Sequence, residues 1–308
     1  MYYIFGFVCA AVIALMVVLN GNLTTLYQDV FVASIIIHAV GLIISSILIV
    51  IRKEKLHIKK AIPFGMYLGG LIGVGTTVFN NAAYGKISVS AILALGLLAQ
   101  AITSLVIDHF GLFHMPVRKF SIGKLIGILF TLGGITLLFH GAEFVFVPVV
   151  LSILTGVTVV TSRSVNAELT EVSSVCVSTW YNFAVGLLTC IVLWVIAALL
   201  GKSSFEIHLQ MNSSKDLISY AGGVLGVVTI SLLNIVVKKL PAFILTLMMF
   251  TGQLFTGVII DFFLGESITV TYCMGGVLTV FGLCFNLYLD RKKVVSQTRP
   301  VLAEREGL

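Results

Sequence analysis

Long apolar runs separated by brief polar breaks organise this chain. Ten of them, at roughly 3–19, 30–51, 64–84, 88–110, 120–140, 144–162, 173–200, 217–237, 241–263 and 269–289, each approach the ~20 apolar residues a helix needs to cross a hydrocarbon core of about 30 Å. The breaks at Lys86, Gly141–Ala142 and Lys238–Pro241 are very short. A membrane β-barrel would alternate apolar and polar positions in segments of about ten residues. These runs are too long and too uniform for that. The pattern predicts an all-α integral membrane protein with ten transmembrane helices. The first run has no preceding Lys or Arg and no small-residue cleavage site before Asn20, so it is expected to be retained as a span rather than removed as a signal peptide.

Composition agrees. The chain has 308 residues, 58% apolar and 10% charged, with a mean hydropathy of +1.11, where soluble domains average about 45–50% and about 25%. So few charges cannot cover soluble cores of this size. Charge placement then sets orientation. Taking the loops alternately, sixteen Lys and Arg fall on one side, among them Arg52, Lys53, Arg118, Lys119, Arg163 and Arg291. The other side holds Lys86, Lys202 and Lys215. The positive-inside rule puts both termini in the cytoplasm of a prokaryotic plasma (inner) membrane. This sorting accounts for the net charge of +6, so no nucleic-acid partner is expected. The five cysteines (Cys9, Cys176, Cys190, Cys273 and Cys284) lie inside spans without metal-ligand spacing; they read as small apolar residues, and no metal or other cofactor is expected.

The two halves of the chain match each other. Residues 67–110 and 220–263 align at a constant offset of 153 with thirteen identities in forty-four positions. These include Gly69/Gly222, Gly70/Gly223, Gly73/Gly226, Asn81/Asn234, Lys86/Lys239, Gln100/Gln253 and Asp108/Asp261. Apolar spans match one another cheaply, but Gly, Asn, Gln, Asp and Lys identities in lipid are not supplied by chance. His-Ala-Val-Gly-Leu at 38–42 extends the match to Phe-Ala-Val-Gly-Leu at 183–187. Each half then holds five spans, 1–142 and 143–290, followed by a cytoplasmic tail, 291–308. Five is odd, so the second half enters the membrane inverted. Inverted repeats are a construction of secondary transporters, which expose a central site to alternate sides.

Gly-Gly-x-x-Gly-Val in the third span of each half and Gln-x-x-Thr-x-x-x-Ile-Asp in the fourth resemble the drug/metabolite transporter superfamily. The stretch from Ala99 to Phe113 is most similar to its YdcZ-like branch, in the fused two-repeat form. The resemblance covers nearly the whole chain except the tail. It implies a transporter of small molecules and names no substrate. The second half departs from it at Phe262-Phe-Leu-Gly-Glu, where the first has His109-Phe-Gly-Leu-Phe.

Polar residues inside a bilayer are costly and face a partner or a wet cavity. Gln100 and Gln253 sit near the middle of spans 4 and 9 and are the first candidates for binding a solute; the alternative is that they join helices by hydrogen bonds. Asn81 and Asn234 form the next symmetric pair. Trp180, Tyr181 and Asn182 lie in span 7 and either recognise an amphipathic or cationic solute or pack. His38 is the histidine clearly inside a span, open to proton coupling or to a structural role. Asp108 and Asp261 end spans 4 and 9 at opposite faces, where gates would stand, or are solvated helix ends. Asn20, Asn22 and Asn166 read as caps or turns at span ends. Gly123-x-x-x-Gly127 leaves room for a homodimer; otherwise the expected partners are the small-molecule substrate and membrane lipid.

A secondary active or facilitative transporter is the leading expectation, with a flippase for a lipid-linked metabolite as its variant. A membrane-embedded lipid-modifying enzyme would need convergent nucleophile, base or metal ligands. No such motif appears in the sequence. The scarcity of midplane charge favours a neutral, zwitterionic or amphipathic solute.

Overall fold

The computed structural model describes residues 2–56, 62–112, 123–138, 145–207, 209, 214–237, 242–265 and most of 270–288. Regular structure among them is helical, with no β-strand. In chain order the helices are α1 (Tyr2–Tyr27), α2 (Val30–Arg52), α3 (Gly69–Ala83), α4 (Val89–Phe110), α5 (Gly123–Leu138), α6 (Phe146–Val172), α7 (Val175–Leu199), α8 (Ala221–Val237) and α9 (Ala242–Phe263). A further apolar helix, α10, covers Cys273–Gly282. Short 3-10 turns lead into α3 and α8. Six of the helices, in α1, α2, α4, α6, α7 and α8 with its lead-in, are long and apolar enough to cross a membrane.

Local signals start and stop these helices where the sequence supplies caps. Asp29 accepts the backbone N–H of Phe31 and Val32 at 2.7 and 3.0 Å and begins α2. Ser88 and Ser174 do the same for α4 and α7, satisfying donors that an α-helix leaves open. Gly111, with φ of 63°, ends α4 in the left-handed region, which glycine enters without steric cost.

Two helices run further than their apolar runs. α1 continues past Asn20-Gly-Asn to Tyr27, with the Thr24 and Thr25 hydroxyls donating back to the Asn20 and Gly21 carbonyls. α6 continues past Arg163 to Val172. Arg163 is therefore part of a helix and not of a loop, which corrects its place in the charge count.

The exterior is apolar: Val50 of α2 is 75% exposed and Phe263 of α9 is 80% exposed. The interior carries polar groups, with Ser34, His38, Ser152, Thr155, Ser178 and Gln253 all buried. This is the distribution a lipid-solvated bundle requires. Contacts between helices come in matched pairs. α1 packs on α8 and α9 as α6 packs on α3 and α4, and α2 packs on α8 as α7 packs on α3. Exchanging α1–α4 for α6–α9 turns each of these pairs into another, and leaves the α2–α7 and α4–α9 contacts in place. The polar interior lies where these eight helices meet.

Candidate solute-binding cavity

A cavity of about 220 Å³ opens between α1, α2, α3, α4, α6, α7, α8 and α9. Helical spacing explains the contribution of each wall. Thr155, Val159, Ser162 and Asn166 of α6 recur every three or four residues and share one face, with Arg163 beside it. Gly73, Thr76, Thr77 and Asn80 do the same on α3, and Ile92, Leu93, Gly96 and Gln100 on α4.

Close helix approach depends on glycine. A Cβ on Gly69 would lie 2.1 Å from Asn166 Oδ1, and one on Gly222 would lie 1.9 Å from Asn20 Oδ1. The two glycines are repeat partners, so α6 rests on α3 through an asparagine as α1 rests on α8. On α4, the backbone of Gly96 and Gln100 would meet a Cβ of Gly156 at 2.3 and 2.8 Å. The walls thus touch backbone to backbone, and any added methyl group forces them apart.

Several lining polar groups are tied to one another. Asn166 Nδ2 donates to Asn182 Oδ1 at 2.8 Å, and Ser162 Oγ donates to the Gly69 carbonyl at 2.7 Å. The Thr76 and Thr158 hydroxyls are 2.9 Å apart. His38 Nδ1 lies 2.8 Å from the Ser34 carbonyl and 3.5 Å from Cys190 Sγ. Others have no partner among the described residues: Asn20 Oδ1, Asn80 Oδ1 and Thr229 Oγ1, on lining residues, are buried without a hydrogen bond. An orphaned buried acceptor or hydroxyl costs about 1–3 kcal/mol.

Of the residues expected from sequence, Gln100, Gln253, Asn182 and His38 line this cavity. Gln253 is buried, while Gln100 is only partly so. Asn81 is buried and faces elsewhere; its neighbour Asn80 takes the cavity position. Trp180 and Tyr181 stand outside the lining. Trp180 Nε1 donates to Ser46 Oγ at 2.9 Å, and Tyr181 Oη donates to the Leu56 carbonyl at 3.2 Å. Tyr181 also packs edge to face on Tyr67. Asp261 is fully buried and accepts the backbone N–H of Val89 and Ser90, so it caps α4. It is not a solvated helix end. The side chains of Asp108 and Asn234 lie outside those described.

Sequence reasoning missed Asn20, Asn80, Ser162, Arg163, Asn166 and Thr229 as lining residues. Asn20 and Asn166 were expected at span ends and instead lie within helices. The signal that finds the α6 group is the recurrence of polar residues at helical spacing through Asn166, which continues past the end of the apolar run.

An apolar helical exterior around a polar cavity, walled by two exchangeable sets of helices, defines a multi-pass membrane transporter. The chain belongs to the family described as "Putative inner membrane exporter, YdcZ", which matches residues 1–137 and again 147–285. It carries that unit twice, as a fused two-repeat form. A solved crystal structure, described only as that of a protein, is similar over 94% of this chain and 97% of its own, with a TM-score of 0.65 and 15% identity; at that identity the likeness concerns the fold. No curated protein matches the chain.

Proposed function

We propose that the chain is a secondary transporter that exports a small metabolite or drug-like solute by alternating access. Ten crossing helices in two inverted halves, 1–142 and 143–290, surround one central site, with both termini in the cytoplasm. The observation that carries this reading is the cavity itself, lined by four helices of one half and the four corresponding helices of the other. Two halves of one fold in opposite orientations can exchange conformations and open such a site to either side in turn. Gln100, Gln253 and Asn182 hydrogen-bond the solute, each amide offering donors and an acceptor. Asp261 holds α9 to α4 across the two halves at one mouth, and Asp108 occupies the matching sequence position at the other. His38, engaged with Ser34 and Cys190, supports the wall.

The test is loss of solute from proteoliposomes loaded with a small-metabolite extract and read by mass spectrometry. Wild-type protein is expected to release one class of compound faster than protein-free vesicles. Identical release of every compound from both would contradict the proposal.

A further inference from the structure

We infer that the solute is an organic anion, held by Arg163 at its charged group and by the apolar wall along its body; this rests on the reading of the cavity as the transport site. Arg163 lies on α6 nine residues before the helix ends at Val172. Arg163 is exposed and is one of the residues that line the cavity. No Asp or Glu is among the described lining residues. No hydrogen bond or ion pair to Arg163 occurs among the described residues. Among the described lining residues the other ionisable side chain is His38, which is engaged with the Ser34 carbonyl.

A guanidinium within a membrane protein is expensive, and it persists where it has a partner or a function. Its planar fork of donors matches a carboxylate, sulfonate or phosphate. Gln100 and Gln253 line the same cavity, and their amide oxygens are acceptors. They suit hydroxyl or amino hydrogens on the body of that anion. Ile37, Ile92, Phe183 and Ile230 supply the apolar surface between. The arrangement disfavours a cation, which would meet Arg163 with no carboxylate to offset it. It narrows the expectation of a neutral, zwitterionic or amphipathic solute, which rests on the scarcity of midplane charge, to an amphipathic anion.

The test needs no knowledge of the natural solute. Thr77→Cys places a thiol on the cavity wall, and its modification in reconstituted full-length protein is followed by peptide mass spectrometry. The probes are a negatively charged sulfonatoethyl methanethiosulfonate and a positively charged trimethylammonioethyl one, each rate normalised to its reaction with free cysteine. The anionic reagent is expected to be favoured by about tenfold, as one cation at short range in protein implies. Arg163→Gln should bring the ratio near one, and Arg163→Lys should keep it. An equal or cation-favouring ratio in the otherwise wild-type chain would overturn the inference, as would a ratio unchanged by Arg163→Gln. If Arg163→Gln does not fold, the first ratio decides alone. Because no transport is measured, an absence of flux would refute the transport reading and leave this ratio standing.

Discussion

His38 of α2 and Phe183 of α7 meet edge to face, with ring centroids 5.9 Å apart and planes at 62°. Each lies over the glycine of the other's helix: a Cβ on Gly186 would be 2.4 Å from the His38 ring, and one on Gly41 would be 2.3 Å from the Phe183 ring. The two residues hold matching positions in His-Ala-Val-Gly-Leu and Phe-Ala-Val-Gly-Leu, so the sequence match becomes a reciprocal contact. Gly41→Ala and Gly186→Ala should each destabilise the protein by about 1–3 kcal/mol through overpacking. Gly65, which has open space around it, provides the control, and Gly65→Ala should change little. Thermal unfolding of the purified variants measures this; equal midpoints for all three would contradict it.

Asp261 should matter for stability through its carboxylate. It accepts the N–H of Val89 at 2.7 Å and of Ser90 at 2.8 Å in a fully buried setting. Asp261→Asn keeps the shape but turns an NH₂ group toward one of those donors, and should cost about 1.5–3 kcal/mol, the scale of a hydrogen bond to a charged group. An unchanged unfolding midpoint would show that α4 does not depend on this cap.

The division between what sequence revealed and what it hid follows from how each signal works. Apolar runs located the helices, because crossing lipid demands them. The run method ends a span at its first charge or Asn-Gly pair, and that is where it failed. Asn20 and Arg163 interrupt hydropathy while continuing the helix, since both are lining residues of a cavity between the helices. Gln100 and Gln253 were legible because the repeat doubled their signal. For Trp180 and Tyr181 recognition and packing both stayed open, because depth in a span does not say which face a side chain takes. Asp261 looked like an exposed end because its partner, the start of α4, is 171 residues away in sequence from it at Ser90.

Trp180 should therefore be dispensable for transport. Its indole N–H reaches Ser46 Oγ at 2.9 Å, on the α2–α7 contact and away from the cavity lining. Trp180→Phe should leave flux within about twofold of wild type and cost about 0.6–1.7 kcal/mol in stability, the range for hydrogen bonds between membrane helices. Ser46→Ala should add little to that variant, since both remove the same bond. A flux defect of tenfold or more would return Trp180 to the binding site.

Orientation is open to direct labelling. Lys55, just after α2, and Lys202, just after α7, are both exposed. With both termini cytoplasmic, Lys202→Cys should react with a membrane-impermeant maleimide added to intact cells, above the wild-type background. Lys55→Cys should react only after permeabilisation. The reverse pattern would invert the topology.

The central claim is that one cavity, shared by the two halves, is the path of the solute. Gln100 of α4 and Gln253 of α9 line it from corresponding positions. Flux through proteoliposomes carrying Gln100→Leu together with Gln253→Leu tests the claim most directly, with insertion and unfolding midpoint checked in the same preparation. The account predicts that flux falls to the level of empty vesicles while the protein stays folded; wild-type flux from the folded double variant would contradict it.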